Sequence, residues 1–252
     1  DAGQGRIAAG NDVRARADGE VNPVLALAGD ATLAVTARGD IVLASALNPT
    51  LLLPSATQGG LGGFGAGERS YFFSYGERAA VALNAIAGDV VLANDAGDVL
   101  GLSDNLVVEL SDATGVNRVP IIYPGTLSAI ALQGDIDIRG SFDLYLTPRG
   151  TLDLLAGGSV RSDDIALVTL SDADPLRLPT LAAPAASLTA PVAAYFSEGN
   201  PDGQFHAAAP VHAGDPGVAR IVARSGIVGS PDNSLILNLA KPVLVSAGLD
   251  VV

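Results

Sequence analysis

Gly39-Asp40-Ile41-Val42-Leu43, Gly88-Asp89-Val90-Val91-Leu92 and Gly134-Asp135-Ile136-Asp137-Ile138 state one phrase three times: a glycine, an aspartate, then a short apolar or alternating run. Further copies are Gly29-Asp30-Ala31-Thr32-Leu33, Gly97-Asp98-Val99-Leu100 and Gly150-Thr151-Leu152-Asp153-Leu154. Weaker ones stand at Gly10-Asn11-Asp12-Val13, Gly158-Ser159-Val160, Gly226-Ile227-Val228 and Gly248-Leu249-Asp250-Val251. Glycine can take a φ > 0 corner, aspartate can bond turn backbone, and the residues that follow alternate inward and outward with period 2. Each copy therefore reads as a corner that opens a strand.

The copies fall 8 to 10 residues apart within a cluster, and Gly10 to Gly29 is a step of 19, as expected if two of them make one coil. Repetition at that period without helical periodicity is the pattern of stacked β-structure. The expectation is an all-β chain, a parallel β-helix (β-solenoid) forming a single segment over residues 1–252. At roughly 20–25 residues per coil and about 4.8 Å per level, about ten coils would make a rod about 50 Å long. A β-sandwich would explain short strands but not the recurrence of one corner phrase.

Composition agrees. The chain has 22 Asp against 5 Glu, 13 Arg against a single Lys (Lys241), 30 Gly and 15 Pro, which disfavours helix. A net charge of −13 with no basic stripe argues against nucleic acid and against unaided docking on an anionic membrane. The longest uncharged stretch, Leu178 to Ser197, is broken by Pro179, Pro184 and Pro191, so no membrane insertion is expected. Without Cys there are no disulfides or thiolate metal sites, and without Met the chain reads as a processed form or an excerpt of something longer.

The phrase is interrupted twice, at about 54–80 and at 172–217, and both stretches are expected to be loop insertions. The first holds Phe64, Tyr71, Phe72, Phe73 and Tyr75, five of the eleven aromatics. On an exposed groove such rings stack against sugars or partner side chains, which makes these five the candidate ligand-binding residues; the competing reading, preferred here, is a local core that pins a Gly-rich loop. The second holds His206 and His212, whose spacing of six fits neither a helical pair nor a zinc finger, so no metal site is assigned.

Right-handed β-helices also house enzymes that use acids on adjacent coils, which makes Asp163, Asp164, Asp172 and Asp174, with Asp135, Asp137 and Asp153, the carboxylates to consider for catalysis. Most occupy corners or outward positions where a solvated Asp is the ordinary residue, and no catalytic residue is assigned. Stacked Asp would repel, which a structural calcium could relieve, but no Gly-Gly-x-Gly-x-Asp nonapeptide is present. No nucleophile elbow, zinc-protease helix or dinucleotide fingerprint occurs either, and the chain is expected not to be an enzyme.

The repeated Gly-Asp-(Ile/Val)-x-Leu strands resemble the filamentous haemagglutinin family, the large exoproteins of two-partner secretion. A closer likeness is to a region towards the C-terminal side of many such adhesins. It rests on Leu170-Ser171-Asp172-Ala173-Asp174-Pro175 with Leu178-Pro179-Thr180, on His212-Ala213-Gly214-Asp215-Pro216 leading to Arg220-Ile221-Val222-Ala223, and on Leu237-Asn238-Leu239-Ala240-Lys241-Pro242 followed by Ala247-Gly248-Leu249-Asp250.

The resemblance implies a right-handed parallel β-helix, secretion to the extracellular space or cell surface through an outer-membrane barrel transporter, and a role in adhesion or extracellular filaments. The family's Asn-Pro-Asn-type secretion motif is not reproduced by Asn22-Pro23 or Asn48-Pro49, which assigns transporter recognition to another part of the parent protein. The expected function is a surface adhesin segment with a glycan or protein receptor. The alternative is a structural spacer or filament subunit that self-associates end to end; a β-helix polysaccharide lyase or hydrolase ranks third.

Overall fold

A computed structural model describes residues 3–16, 22–49, 72–94, 110–112, 115–117, 122–163, 165–184 and 207–252. Seven strands form one wholly parallel sheet, the first face: Gln4–Ala9, Thr32–Ala37, Ala80–Ala85, Thr126–Ala131, Thr151–Ala156, Ala219–Ala223 and Val243–Ala247, stacked in chain order. A second face contains Ile41–Val42, Val90–Ala93, Ile136–Arg139 and Val160–Ser162, extended at its ends by parallel bridges through Val13, Val228 and Val251. The third face contains Ile122–Tyr123, Phe142–Leu144, Ala166–Leu170 and Leu235–Leu239, with Val24–Ala26 paired to Ser45–Leu47 as a separate two-stranded piece. The chain visits the three faces in the same order at each level, an arrangement compatible with a β-solenoid. Seven levels are present among the described residues where about ten were expected along the chain. No α-helix occurs among the described residues.

The copies of the corner phrase fall into register. Gly10, Gly39, Gly88, Gly134, Gly158, Gly226 and Gly248 all lie at the corner between the first and second faces, which every level turns in three or four residues. Gly29 and Gly150 mark the opposite corner, before the first face, so a level can carry two phrases; Gly97 lies outside the described residues.

At the first corner the aspartates form a ladder. Asp12 Oδ1 accepts the Asp40 N–H at 2.9 Å, Asp40 Oδ1 the Asp89 N–H at 3.0 Å, Asp89 Oδ1 the Asp135 N–H at 2.8 Å, and Asp135 Oδ1 the Ser159 N–H at 2.7 Å. Ser159 Oγ then accepts the Ile227 N–H at 3.2 Å. Each carboxylate satisfies a backbone donor of the next level that has turned out of the sheet, and bonds of this ionic kind are about twice as strong as neutral ones.

The glycine has a different role from the one its sequence suggested. Among the described glycines only Gly29, Gly140 and Gly229 have positive φ, so the corner glycines are not there for a left-handed backbone. They are there for space. A Cβ on Gly39 would land on Asp12 Oδ1, one on Gly88 on Asp40 Oδ1, one on Gly134 on Asp89 Oδ1, and one on Gly158 on Asp135 Oδ1. Glycine and aspartate are thus one device: the aspartate of each level fills the gap left by the glycine above it.

The same register sorts the core into columns. Ala9, Ala37, Ala85, Ala131, Ala156, Ala223 and Ala247 stack at the last inward position of the first face, where two faces converge and little more than a methyl group fits. Past the corner, Val13, Ile41, Val90, Ile136, Val160, Val228 and Val251 make a column of β-branched side chains, which suit a pleated surface. Leu83, Leu127, Leu152, Leu154 and Ile221 fill the wide part of the interior and are fully buried, each contributing roughly 1.5–3 kcal/mol.

Gly158 has an ordinary φ, so its substitution tests the steric coupling alone. We expect Gly158→Ala to cost about 1–3 kcal/mol in urea unfolding, and distinctly less in an Asp135→Ala background, where the obstructing carboxylate is gone. Strict additivity of the two substitutions would refute the pairing.

Candidate binding groove

The corner between the third and first faces is built differently, and there the later part of the chain gathers its charges. Between Leu144 and Thr151 the chain needs only a short link. Thr147 is buried, donates from Oγ1 to Glu77 O at 3.1 Å, and accepts the Gly150 N–H at its carbonyl. A Cβ on Gly150 would meet the Gly125 carbonyl, so bare backbone packs on bare backbone.

One level higher the connection is long, and the part that returns is stapled onto this link. His212 is buried, with Nδ1 placed 3.3 Å from Pro148 O. That contact assigns the proton to Nδ1 and leaves Nε2 buried without a hydrogen-bond partner. Burial is the largest influence and holds the imidazole pKa below its ordinary value, with the Lys241 charge acting in the same direction. Asp215 Oδ1 accepts the Gly217 N–H at 2.9 Å, while its Oδ2 pairs with Lys241 Nζ at 2.9 Å; the Lys241 bond keeps this carboxyl below the usual range.

Lys241, the only lysine of the chain, has a side chain just 1% exposed and also donates to Gly150 O at 3.0 Å. One ammonium thus ties its own link, which precedes Val243–Ala247, to the link before Thr151–Ala156 and to the returning segment at Asp215. On the adjoining first face Arg220 clasps Asp153 through Nε at 2.9 Å and Nη2 at 2.8 Å, which raises the Arg220 pKa. These groups, with Arg149 and Pro216, border an open groove of about 860 Å³.

The aromatic residues singled out in the sequence are placed elsewhere. Phe64 and Tyr71 lie outside the described residues, and Phe72 is half-buried. Phe73 and Tyr75 are 7% and 6% exposed and flank Tyr145 with ring centroids 5.8 and 5.3 Å away. Tyr75 donates its hydroxyl to Ile122 O at 3.0 Å, and burial lifts its pKa well above the ordinary phenol value. Both rings belong to the core. Phe73 N–H donates to Pro179 O at 3.0 Å, which places the segment after the fifth level against a residue that precedes the third.

The acids are committed as well. Asp135 and Asp137 share Arg161, at 3.2 and 2.6 Å; Asp163 faces Arg139 at 3.3 Å; Asp174 caps Leu176 N–H at 3.0 Å. Arg14 spans Asp12 and Asp40, so arginine relieves part of the repulsion for which calcium was considered. Asp172 accepts Ala207 N–H at its backbone carbonyl, and Asp164 and His206 lie outside the described residues. No group of three or more His, Cys, Asp or Glu that could hold a metal is present among the described residues. Likewise, no described helix is long and apolar enough to cross a membrane.

Asp143 was not noticed in the sequence. It sits in the third face between Ile122 and Thr169, and burial pushes its carboxyl up to about 6, against the lowering effect of the Thr169 hydroxyl. The chain matches no protein-family model, no curated protein and no solved structure.

Two stability measurements test this description. Lys241→Met keeps the volume but strands Asp215 and Gly150 O, and we expect a loss of about 3 kcal/mol in chemical unfolding; a loss below about 0.5 kcal/mol would show that the ammonium is no staple. Asp143 holds its proton more tightly folded than unfolded, so its contribution is fully present below the ordinary carboxyl value of 3.8 and is lost as pH rises through about 6. Asp143→Asn is therefore expected to raise stability at neutral pH by on the order of 2 kcal/mol and to change little in the acid range. An equal effect at both pH values would contradict the burial of the charge.

Proposed function

We propose that the chain is a segment of a large secreted bacterial surface adhesin of the filamentous haemagglutinin type, a right-handed parallel β-helix that holds binding loops on a stiff rod. One observation carries the reading. The corner ladder joins successive levels by a backbone N–H bond to a side-chain oxygen, carboxylate at separations of 28, 49, 46 and 24 residues and hydroxyl at 68. All the extra chain enters after the second face and before the next first-face strand: between Asn48 and Phe72, between Asn94 and Ile122, and between Leu170 and Ala219. The first-to-second corner is spared, and in stacked-repeat proteins insertions that leave one part of every level intact mark the binding surface elsewhere.

Right-handed winding follows the strong preference of parallel crossovers for that hand. Secretion to the cell surface through a barrel partner follows from the resemblance of the three C-terminal blocks, and two of those blocks meet at the Lys241 staple. Asp135, Asp137, Asp153 and Asp163 are spent on arginines and Asp174 on a backbone N–H group, which favours a binding role over polysaccharide cleavage.

The fourth level makes the third-to-first connection with the short link after Leu144, so the longer connections are dispensable to the ladder. The test is to replace residues 50–71, and separately 185–206, by a link of that kind and to compare binding to a glycan array and to host cells. We expect the parent segment to bind and at least one shortened variant, with unchanged β circular dichroism, to lose binding. Binding by neither parent nor variants would favour the spacer or filament reading, and undiminished binding by both variants would remove these two connections from the mechanism.

A further inference from the structure

We propose that the groove beside Lys241 is a binding site for an acidic sugar, in which Arg149 and Arg220 receive the carboxylate of a uronate residue. The inference deepens the adhesin reading and rests on it for biological purpose, but the chemistry is that of the groove itself.

Three cations border this groove in a chain whose net charge is −13, and they are not equally engaged. Lys241 is buried and held by Gly150 O and Asp215. Arg220 gives Nε and Nη2 to Asp153 and keeps Nη1, with its side chain 49% exposed. Arg149 is exposed and forms no ion pair among the described residues. Elsewhere on the rod, Arg14, Arg139 and Arg161 each face one or two aspartates of their own or a neighbouring level. Arg149, like Arg6, Arg38, Arg78 and Arg224, has no aspartate partner among the described residues, but of these it alone borders the groove, beside a second arginine with donors to spare. Two such guanidinium groups offer the planar donor geometry that matches a carboxylate.

The rest of the lining selects among carboxylates. Thr151, Asp153 and Asp215 present acceptors whose capacity the intramolecular bonds do not exhaust, and they suit hydroxyl donors. Pro148 and Pro216 add small rigid apolar surfaces for the C–H side of a pyranose ring. A volume of about 860 Å³ has room for a short oligosaccharide and is open enough for a polymer to pass through. An inorganic anion would use the arginines and leave the acceptors idle; a hydrophobic peptide side chain would find no deep apolar pocket.

Isothermal titration of the whole segment with trigalacturonate, with its methyl ester and with citrate tests this directly. We expect trigalacturonate to bind with a Kd of about 1 mM or tighter and to weaken as salt is raised. The ester, which keeps the rings and loses the charge, should bind at least about ten times more weakly, as should citrate, which keeps the charge and lacks the ring. Arg149→Ala should weaken trigalacturonate binding several-fold and Arg149→Glu should abolish it, at unchanged Tm, whereas Arg6→Ala, outside the groove, should leave it intact. Equal binding of ester and acid, equal binding of citrate, full binding by Arg149→Glu, or no binding by the folded parent would each overturn the assignment. Loss of cell binding in the loop variants with trigalacturonate affinity retained would separate this site from the adhesin loops.

Discussion

The hydrogen bond that an aspartate accepts from the backbone N–H of the next level, made possible by a missing Cβ above it, is the constraint on which the rest of this structure depends. A parallel sheet can slip by one residue only at the cost of sending every inward side chain outward. The ladder from Asp12 to Ile227 fixes that choice at each level, because a slip would bring a side chain, not glycine, above the carboxylate. With the corner fixed, the alanine column before it and the β-branched column after it follow as matters of available width. The sheet bonds hold levels together; the corner decides their register.

A lock of this kind is local to a pair of levels, which explains how the chain tolerates unequal connections. Donor and acceptor are brought together by the stacking of neighbouring strands, so the length of chain between them enters only through loop-closure entropy, which grows slowly. The opposite corner lacks such a run. Asp30 serves Arg78 N–H beneath Gly76 once, and above it the same place is taken by Thr147, Gly150 and finally Lys241. Where the repeating device is absent, individual side chains close the rod, and there the chain also departs from it.

The first corner was legible because its two residues are adjacent in sequence and recur. Even so, the sequence suggested a φ > 0 role for glycine, and the steric role could not be read from one level alone: the atom that a Cβ would strike belongs to the level below. The column positions were legible as alternation. Their number was not, since some first-face strands, such as Ala80–Ala85 and Val243–Ala247, are opened by no Gly-Asp phrase. Phe73 and Tyr75 read equally well as platform or core, and only Tyr145, some seventy positions further on, decides that they are core. The groove was the least legible feature. Its bonds link residues 64, 67 and 91 positions apart, and its one compositional sign was that a chain of thirteen arginines keeps a single lysine.

That single lysine illustrates how the charges are divided. An arginine on an outward strand position can reach carboxylates at its own level or the next through a planar fork while its stem stays in water, which is what Arg14, Arg161 and Arg220 do. The staple needs something else: a compact cation on a narrow stem that can enter a gap between levels and meet a carbonyl and a carboxylate from different directions. A guanidinium there would have more donors than acceptors within reach and would leave some of them buried and unpaired. Lysine at position 241 is therefore set by geometry rather than by charge alone. Arg149, beside the same groove, keeps the exposure that the lysine has given up.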